Sequence, residues 1–283
     1  MKVRIHDDPA ALLVAAEPFF GSDRFSANVV AVHAARLAAE ADAAGHDHLF
    51  ATVENTDGDV VGVAMETAPH PLFLSRMPNE AASALALTLA DAGRNLPGVN
   101  GARDPTNAFA DAWAVRTGQT ARLLRSMRMY HLGELSPPLE VPGEAVLATG
   151  SPADVELVAG WMGAFHSETE HHTPATEAWS IYAERRIAEG QIHLWRDQGA
   201  AVSVAGVSPP GAGVARVGPV YTPPSARRRG YGAAVTAAAT AAALAAGAEH
   251  VALYTDLANP TSNSIYQAIG YLPDHDAQEL AFG

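Results

Sequence analysis

Six consecutive residues carry the densest chemistry in this chain: Arg227-Arg228-Arg229-Gly230-Tyr231-Gly232. Three guanidinium groups attract an anion, and two glycines let the backbone pass close to it. The turn follows an apolar run, Val217 to Tyr221, that stops at Pro223-Pro224. It leads without a break into the alanine-rich stretch Ala233 to Ala246. Strand, turn and helix is the plain reading, because alanine loses no side-chain entropy in a helix and an apolar run closed by proline is strand-like. A helix start leaves amide N–H groups unpaired, and its dipole favours negative charge there. Arginines, glycines and helix start together specify a site for a phosphorylated anion.

Spacing separates the phosphate-binding loops from one another. This one is neither G-x-G-x-x-G nor G-x-x-x-x-G-K-[ST]. It is R-x-x-G-x-G, with Arg227, Gly230 and Gly232 in the fixed positions. On a strand–turn–helix, that pattern resembles the acetyl-CoA loop of the GNAT family of N-acetyltransferases. Downstream, Asn259-Pro260-Thr261-Ser262-Asn263-Ser264-Ile265-Tyr266-Gln267-Ala268-Ile269-Gly270-Tyr271 resembles the family's second motif. There an asparagine precedes a tyrosine by seven positions and a Gly-aromatic pair ends the helix.

The resemblance implies roles. Backbone amides from about Arg228 to Ala233 would hold the CoA pyrophosphate, with Arg227, Arg228 and Arg229 adding charge and Tyr231 and Gly232 within the cradle. At least one arginine would face water or an acidic partner instead. Val220, Tyr221 and Thr222 would offer strand amides to the pantetheine arm and the thioester oxygen, where the family's sheet parts. Pro219 suits such a place, because proline removes a ladder donor. Asn259 would bond the pantetheine amide or simply cap its helix. Tyr266 would protonate the leaving thiolate, since a phenol is neutral at pH 7, or else pack in the core. Many family members carry a glutamate base on the strand before the loop, and Ala215 to Tyr221 has no carboxylate. The candidates that remain lie in Phe165 to His172, a loop in this reading. Glu168 is the tentative base or amine binder, with Glu170, a histidine of that segment and Asp256 as further options. His171-His172 invites a metal, but adjacent residues rarely converge on one ion, so no metal is expected.

These residues need a frame. A first pass of elements runs from a strand at Val3 to Ile5 through helices at Asp8 to Glu17 and Asn28 to Ala44. A hairpin follows, Leu49 to Glu54 and Val60 to Thr67, turned at Asn55-Thr56-Asp57-Gly58-Asp59. Leu72 to Ser75, a helix Glu80 to Ala92, Val99 to Ala102, a helix Pro105 to Arg116 and an extended Arg122 to Leu132 complete it. A second pass repeats the order after the linker-like Ser136-Pro137-Pro138. Its members are Ala145 to Ala148, helices Ser151 to Ala164 and Thr176 to Glu189, Ile192 to Arg196 and Ala200 to Val207. Ala215 to Tyr221, helix Gly230 to Ala246, His250 to Thr255, helix Thr261 to Ile269 and Tyr271 to Phe282, read as two short strands, follow. The fold class is α/β, with a splayed mixed sheet flanked by helices in two GNAT-like domains, 1–136 and 140–283. At the place of the arginine loop the first half reads Ser75-Arg76-Met77-Pro78-Asn79-Glu80, without glycine, which implies a degenerate copy. An unrelated α/β cap domain is the alternative.

The 283 residues are 48% hydrophobic with a formal net charge of −13. That acidity argues against a nucleic-acid or anionic-membrane partner. The absence of cysteine excludes disulfides, thiolate metal sites and a cysteine acyl-enzyme. No leader-like or membrane-length apolar run occurs, so a cytoplasmic monomer or homodimer is expected. The function implied is acetyl-CoA-dependent N-acetylation of a small amine, with acetyl-CoA as co-substrate and direct attack in a ternary complex. The alternatives are a non-catalytic acyl-CoA-binding module and a transferase of another acyl group.

Overall fold

The structure, a computed structural model, describes residues 1–39, 48–169 and 178–283. They form two compact units. The first comprises Met1–Met129 with Asp256–Ala258 and Asp274–Gly283; the second comprises Tyr130–Thr255 with Asn259–Pro273.

The first unit contains β1 (Lys2–His6), α1 (Pro9–Ala15), α2 (Glu17–Ser22), α3 (Arg24–Ala39), β2 (Leu49–Glu54), β3 (Val60–Glu66), β4 (Leu72–Leu74), α4 (Asn79–Asp91), β5 (Gly98–Ala102), α5 (Arg103–Thr117) and most of β6 (Ala121–Leu132). Local chemistry sets its boundaries. Asp8 accepts the Ala11 amide at 2.7 Å and Pro9 opens α1. Asn55 accepts the amides of Asp57 and Asp59, both at 2.9 Å, and so closes the β2–β3 hairpin. Gly118, left-handed at φ 78°, ends α5. Strands β1 to β4 pair antiparallel in order, and β4 pairs parallel with β5.

The second unit contains β7 (Glu144–Leu147), α6 (Pro152–Thr169), α7 (Trp179–Ala188), β8 (Ile192–Asp197), β9 (Ala200–Val207), β10 (Val214–Tyr221), α8 (Tyr231–Ala245), β11 (His250–Asp256) and α9 (Pro260–Ala268). Its ladder repeats the first: β7 to β10 pair antiparallel in order, and β10 pairs parallel with β11. The alanines of α8 allow close seating on the sheet. Val235, Ala239 and Ala243 pack with Ala215, Val217, Val251 and Leu253. The opposite core holds Val158, Met162, Ala183, Ile187, Leu194, Val204 and Tyr221.

Besides the first helices, where α2 is an added element and α3 starts at Arg24 rather than Asn28, two expectations change. Tyr271 to Phe282 is one twelve-residue strand, β12, not two short ones. Its alternation of buried and exposed residues is uneven, which invited the break. Its later part belongs to the first unit, where Ala277 to Ala281 pair antiparallel with Ala102 to Gly98 of β5. There Phe282 stacks on Trp113 and Phe109, with ring centroids 5.6 and 6.4 Å away. Second, Glu168 does not sit in a loop. Helix α6 continues through Phe165 and His166 to Thr169, because Ser167 and Thr169 satisfy their hydroxyls on the carbonyls of Gly163 and Phe165. Glu170, His171, His172 and the expected helix starts at Thr176 and Glu177 lie outside the described residues, as does the expected end of α3 at Ala44.

Candidate active site

Strand β10 is where the second unit's sheet opens. It pairs with β11 only from Val214 to Arg216. Its outer part stays bonded to β9, with a register shift between Val217 and Val220. The bulge places Val217 and Val220 against the α8 side and Tyr221 against α6 and α7. The Tyr221 carbonyl faces β9, because the Ser203 hydroxyl donates to it at 3.0 Å. Successive residues of a strand direct their amides and carbonyls to alternate sides. The Val220 N–H therefore faces the side where β11 no longer pairs. Thr222 is tied inward, sharing a 2.8 Å hydrogen bond between its hydroxyl and that of Ser203.

Beyond Thr222 a single 3-10 turn, Pro224–Ala226, leads into the arginine loop. Arg228 takes φ 62° and Gly230 takes φ 83°, so the chain coils in the left-handed region immediately before α8. Gly230 has a second reason to lack a side chain: a Cβ there would lie 2.9 Å from Cγ2 of Val141. At Gly232 a Cβ would sit 3.3 Å from the Thr222 hydroxyl. No side chain caps α8, and among the described residues the amides of Gly230, Tyr231, Gly232 and Ala233 meet no acceptor. Four N–H groups at the positive end of a fifteen-residue helix are thus left without an acceptor, directly after exposed Arg228 and Arg229 in the chain. Tyr231 contributes only its backbone here. Its ring is buried and its hydroxyl donates to Asp197 at 2.6 Å, which, ahead of burial, raises its pKa.

Arg227 is turned away from the amides. Its Nε donates to the Thr222 carbonyl at 2.9 Å, and one terminal nitrogen reaches both carboxylate oxygens of Glu168 at 3.0 and 2.7 Å. The guanidinium lies over the Tyr221 ring, 5.7 Å from its centroid. The Tyr221 hydroxyl donates to the same carboxylate at 3.1 Å, and burial together with that partner raises its pKa. Glu168 and Arg227, expected to serve amine and phosphate separately, are brought together. Their contact braces the loop against the last turn of α6.

On α9, Asn259 accepts the Ser262 amide at 3.0 Å, so its side-chain oxygen acts as a helix cap. Tyr266 is buried in the cluster that holds Val217 and Leu253, with Val220 packed against it. Its ring meets Tyr271 edge-on at 6.3 Å. Burial pushes the Tyr266 phenol up to about 12, partly offset by a hydrogen bond with Ser262. A phenol so placed stays protonated throughout the physiological range. Asp256 is spent on the Ala258 amide at 2.7 Å. Among the described residues, no three His, Cys, Asp or Glu side chains are grouped to hold a metal, and no helix is long and apolar enough to cross a membrane. A hollow of about 810 Å³ between α6 and α7, lined by Val155, Ala159 and Ile187, shares no residue with the loop. Sequence reasoning passed over Arg186 and Arg216, which lie near each other on the α7 side of β10. Their signal was an arginine on the buried, apolar face of a strand.

Residues 156–271 match the acetyltransferase (GNAT) family. No curated protein matches the chain. Solved structures resemble it over its whole length. A Drosophila protein aligns with a TM-score of 0.67 at 15% identity, covering 99% of this chain and 98% of its own. A GNAT-family acetyltransferase from Colwellia psychrerythraea aligns at 0.58 and 12%, covering 100% of both chains. A tandem GNAT protein from the clavulanic acid biosynthesis pathway aligns at 0.57 and 13%, covering 100% of this chain and 98% of its own. At these identities the likeness is one of fold.

Proposed function

We propose, from the match of residues 156–271 to the acetyltransferase (GNAT) family, that the chain transfers an acetyl group from acetyl-CoA to the primary amine of a small molecule. The observation that carries this reading is the row of uncapped amides, Gly230 to Ala233, beside the unpaired edge of β10. The amides with Arg228 and Arg229 would bind the pyrophosphate. The pantetheine arm would extend along Val220, Tyr221 and Thr222, and the Val220 N–H would bond the thioester oxygen as negative charge builds on it. Asn259, its side-chain oxygen already capping α9, would meet the pantetheine amide with its free NH₂ group. The amine nitrogen attacks the carbonyl carbon, the C–N bond forms and the C–S bond breaks. Tyr266 gives its proton to the departing thiolate and is reprotonated from water. Because β10 has no carboxylate and Glu168 is held by Arg227, the amine's proton leaves to solvent, and Glu168 serves to orient the arginine.

The first unit is proposed as a copy that has lost the cofactor site. It repeats the order of strand pairings, but Pro78 stands at the start of α4 and Glu80 in its first turn, and Arg76 is held by Asp23 and Asp274. The missing strand carboxylate favours one other reading, a module that binds acyl-CoA without transfer. Calorimetry with acetyl-CoA, followed by a free-thiol assay over an amine library, decides. Binding with amine-dependent thiol release supports the transferase. Binding without release supports the module, and no binding rejects both.

A further inference from the structure

Burying a charged side chain without a counter-charge is costly, so arginines inside proteins are paired. This chain follows the rule elsewhere: Arg94 meets Glu66 at 3.2 Å, Arg125 meets Glu279 at 2.9 Å and Arg196 meets Asp154 at 2.6 Å. Arg186 on α7 and Arg216 on β10 depart from it. Among the described residues no carboxylate lies within ion-pair distance of either guanidinium. Arg186 keeps one long contact, 3.5 Å to the Val207 carbonyl, and its buried Nε has no acceptor. Its guanidinium lies 5.8 Å from the centroid of the Tyr182 ring. Arg216 uses only its backbone, exchanging hydrogen bonds with Ser208. Burial lowers the pKa of both; the Arg186 charge adds to the effect on Arg216, and Arg186 itself is lowered further by Arg185 against the opposing pull of Glu189, which lies beyond ion-pair distance. Two like charges are thus gathered inside a protein of net charge −13, which has carboxylates to spare.

Their placement gives the pairing a use. Arg216 is the last residue of β10 that still pairs with β11, opposite Ala252. The unpaired edge with the Val220 amide begins beyond it, at most about 13 Å further along an extended strand. Arg216 lies on the opposite face from Ala215 and Val217, which pack under α8, and so on the side of Tyr182 and Arg186. Space for Arg186 is kept by Gly206, where a Cβ would come within 3.0 Å of its terminal nitrogen.

Building on the transferase reading above, we propose that the acceptor amine carries an anionic group, a carboxylate or a phosphate, held by Arg186 and Arg216. The planar guanidinium matches either anion with paired N–H bonds, and the short span to Val220 suits a small acceptor.

The test first saturates the protein with CoA, so that the pyrophosphate cradle is filled. Succinate and inorganic phosphate are then titrated in separate arms, with thermal stability as readout. The expected result is stabilisation of the wild type by one or both anions. Their affinity should fall about tenfold to a hundredfold in Arg216→Gln and in Arg186→Gln, while CoA affinity stays unchanged. Half-buried Arg186 provides the second variant should Arg216→Gln fold poorly, and retained CoA binding certifies either one. No stabilisation of the wild type, or equal stabilisation of the variants, overturns the proposal. Turnover separates the two sources: L-alanine against L-alaninamide for carboxylate, and O-phosphoethanolamine against ethanolamine for phosphate. Preference for the uncharged member of both pairs also overturns it. Failure of CoA itself to bind would count against the transferase reading, and anion binding at the arginines would still be measurable.

Discussion

Replacing Tyr266 by phenylalanine isolates one oxygen atom. The ring would keep its place in the cluster with Val217 and Leu253 and its edge contact with Tyr271. What is lost is the hydroxyl and its hydrogen bond with Ser262. A neutral hydrogen bond is worth about 0.5–1.5 kcal/mol, which lowers Tm by a few degrees in a chain of this size. Loss of a general acid costs about 10²–10⁴ in rate. The stability and catalytic effects therefore differ by orders of magnitude. The assay is thiol release at saturating acetyl-CoA, with the acetyl-CoA Kd measured by calorimetry. The reasoning requires kcat to fall at least a hundredfold with Kd unchanged. Because the phenol titrates at about 12, it is about 99.9% protonated at pH 9, so wild-type kcat should show no loss of acid below about pH 10. A variant with full kcat, or a wild-type rate that declines through pH 8 to 9 from loss of this proton, refutes the role.

The same raised pKa has a stability consequence. An unfolded tyrosine loses its proton near pH 10 and the folded Tyr266 near 12, so the folded state holds more protons between those limits. Stability should fall as pH rises from about 10 to 12, by up to about 2.7 kcal/mol from this group, and Tyr266→Phe should flatten that slope in alkaline thermal melts. Gly230→Ala forces a Cβ into the left-handed region and against Val141. It should cost about 1–2 kcal/mol or more and weaken acetyl-CoA binding, and an unchanged Tm and Kd would contradict the geometry. Glu168→Gln removes a half-exposed ion pair worth at most about 1 kcal/mol. It should raise the KM for acetyl-CoA a few-fold and leave the acidic limb of the pH–rate profile in place; disappearance of that limb would make Glu168 the base. Deleting residues 274–283 should unfold the first unit, read by Trp113 fluorescence, since β5 would lose its partner strand and Phe109 and Trp113 would lose Phe282.

The elements were legible because their punctuation is local. Asn55 to Asp59 announces a hairpin, Gly118 a helix end, and the proline pair after Tyr221 the end of β10. The repeated order of strands and helices could be read for the same reason. What could not be read depends on distant partners. Nothing near Glu168 says that it meets Arg227, fifty-nine positions away, or that helix α6 carries it there. The bulge at Val217 to Val220 reverses the expected facing of Val220 and Tyr221, and strict alternation gives no warning of it. Arg216 interrupts an apolar strand, and nothing near it in sequence points to Arg186, thirty positions away. The exchange that gives the tail of β12 to β5 joins residues about 180 positions apart, so no window of sequence contains it.

That exchange governs how the protein can be made. During synthesis the first unit's sheet must wait, with one edge of β5 unsatisfied, until residues 274–283 leave the ribosome. An open strand edge on a nascent chain is a template for pairing with the wrong neighbour. Cutting the gene between the repeats would make this wait permanent, and recombining the two pieces in one cell is the natural way to end it.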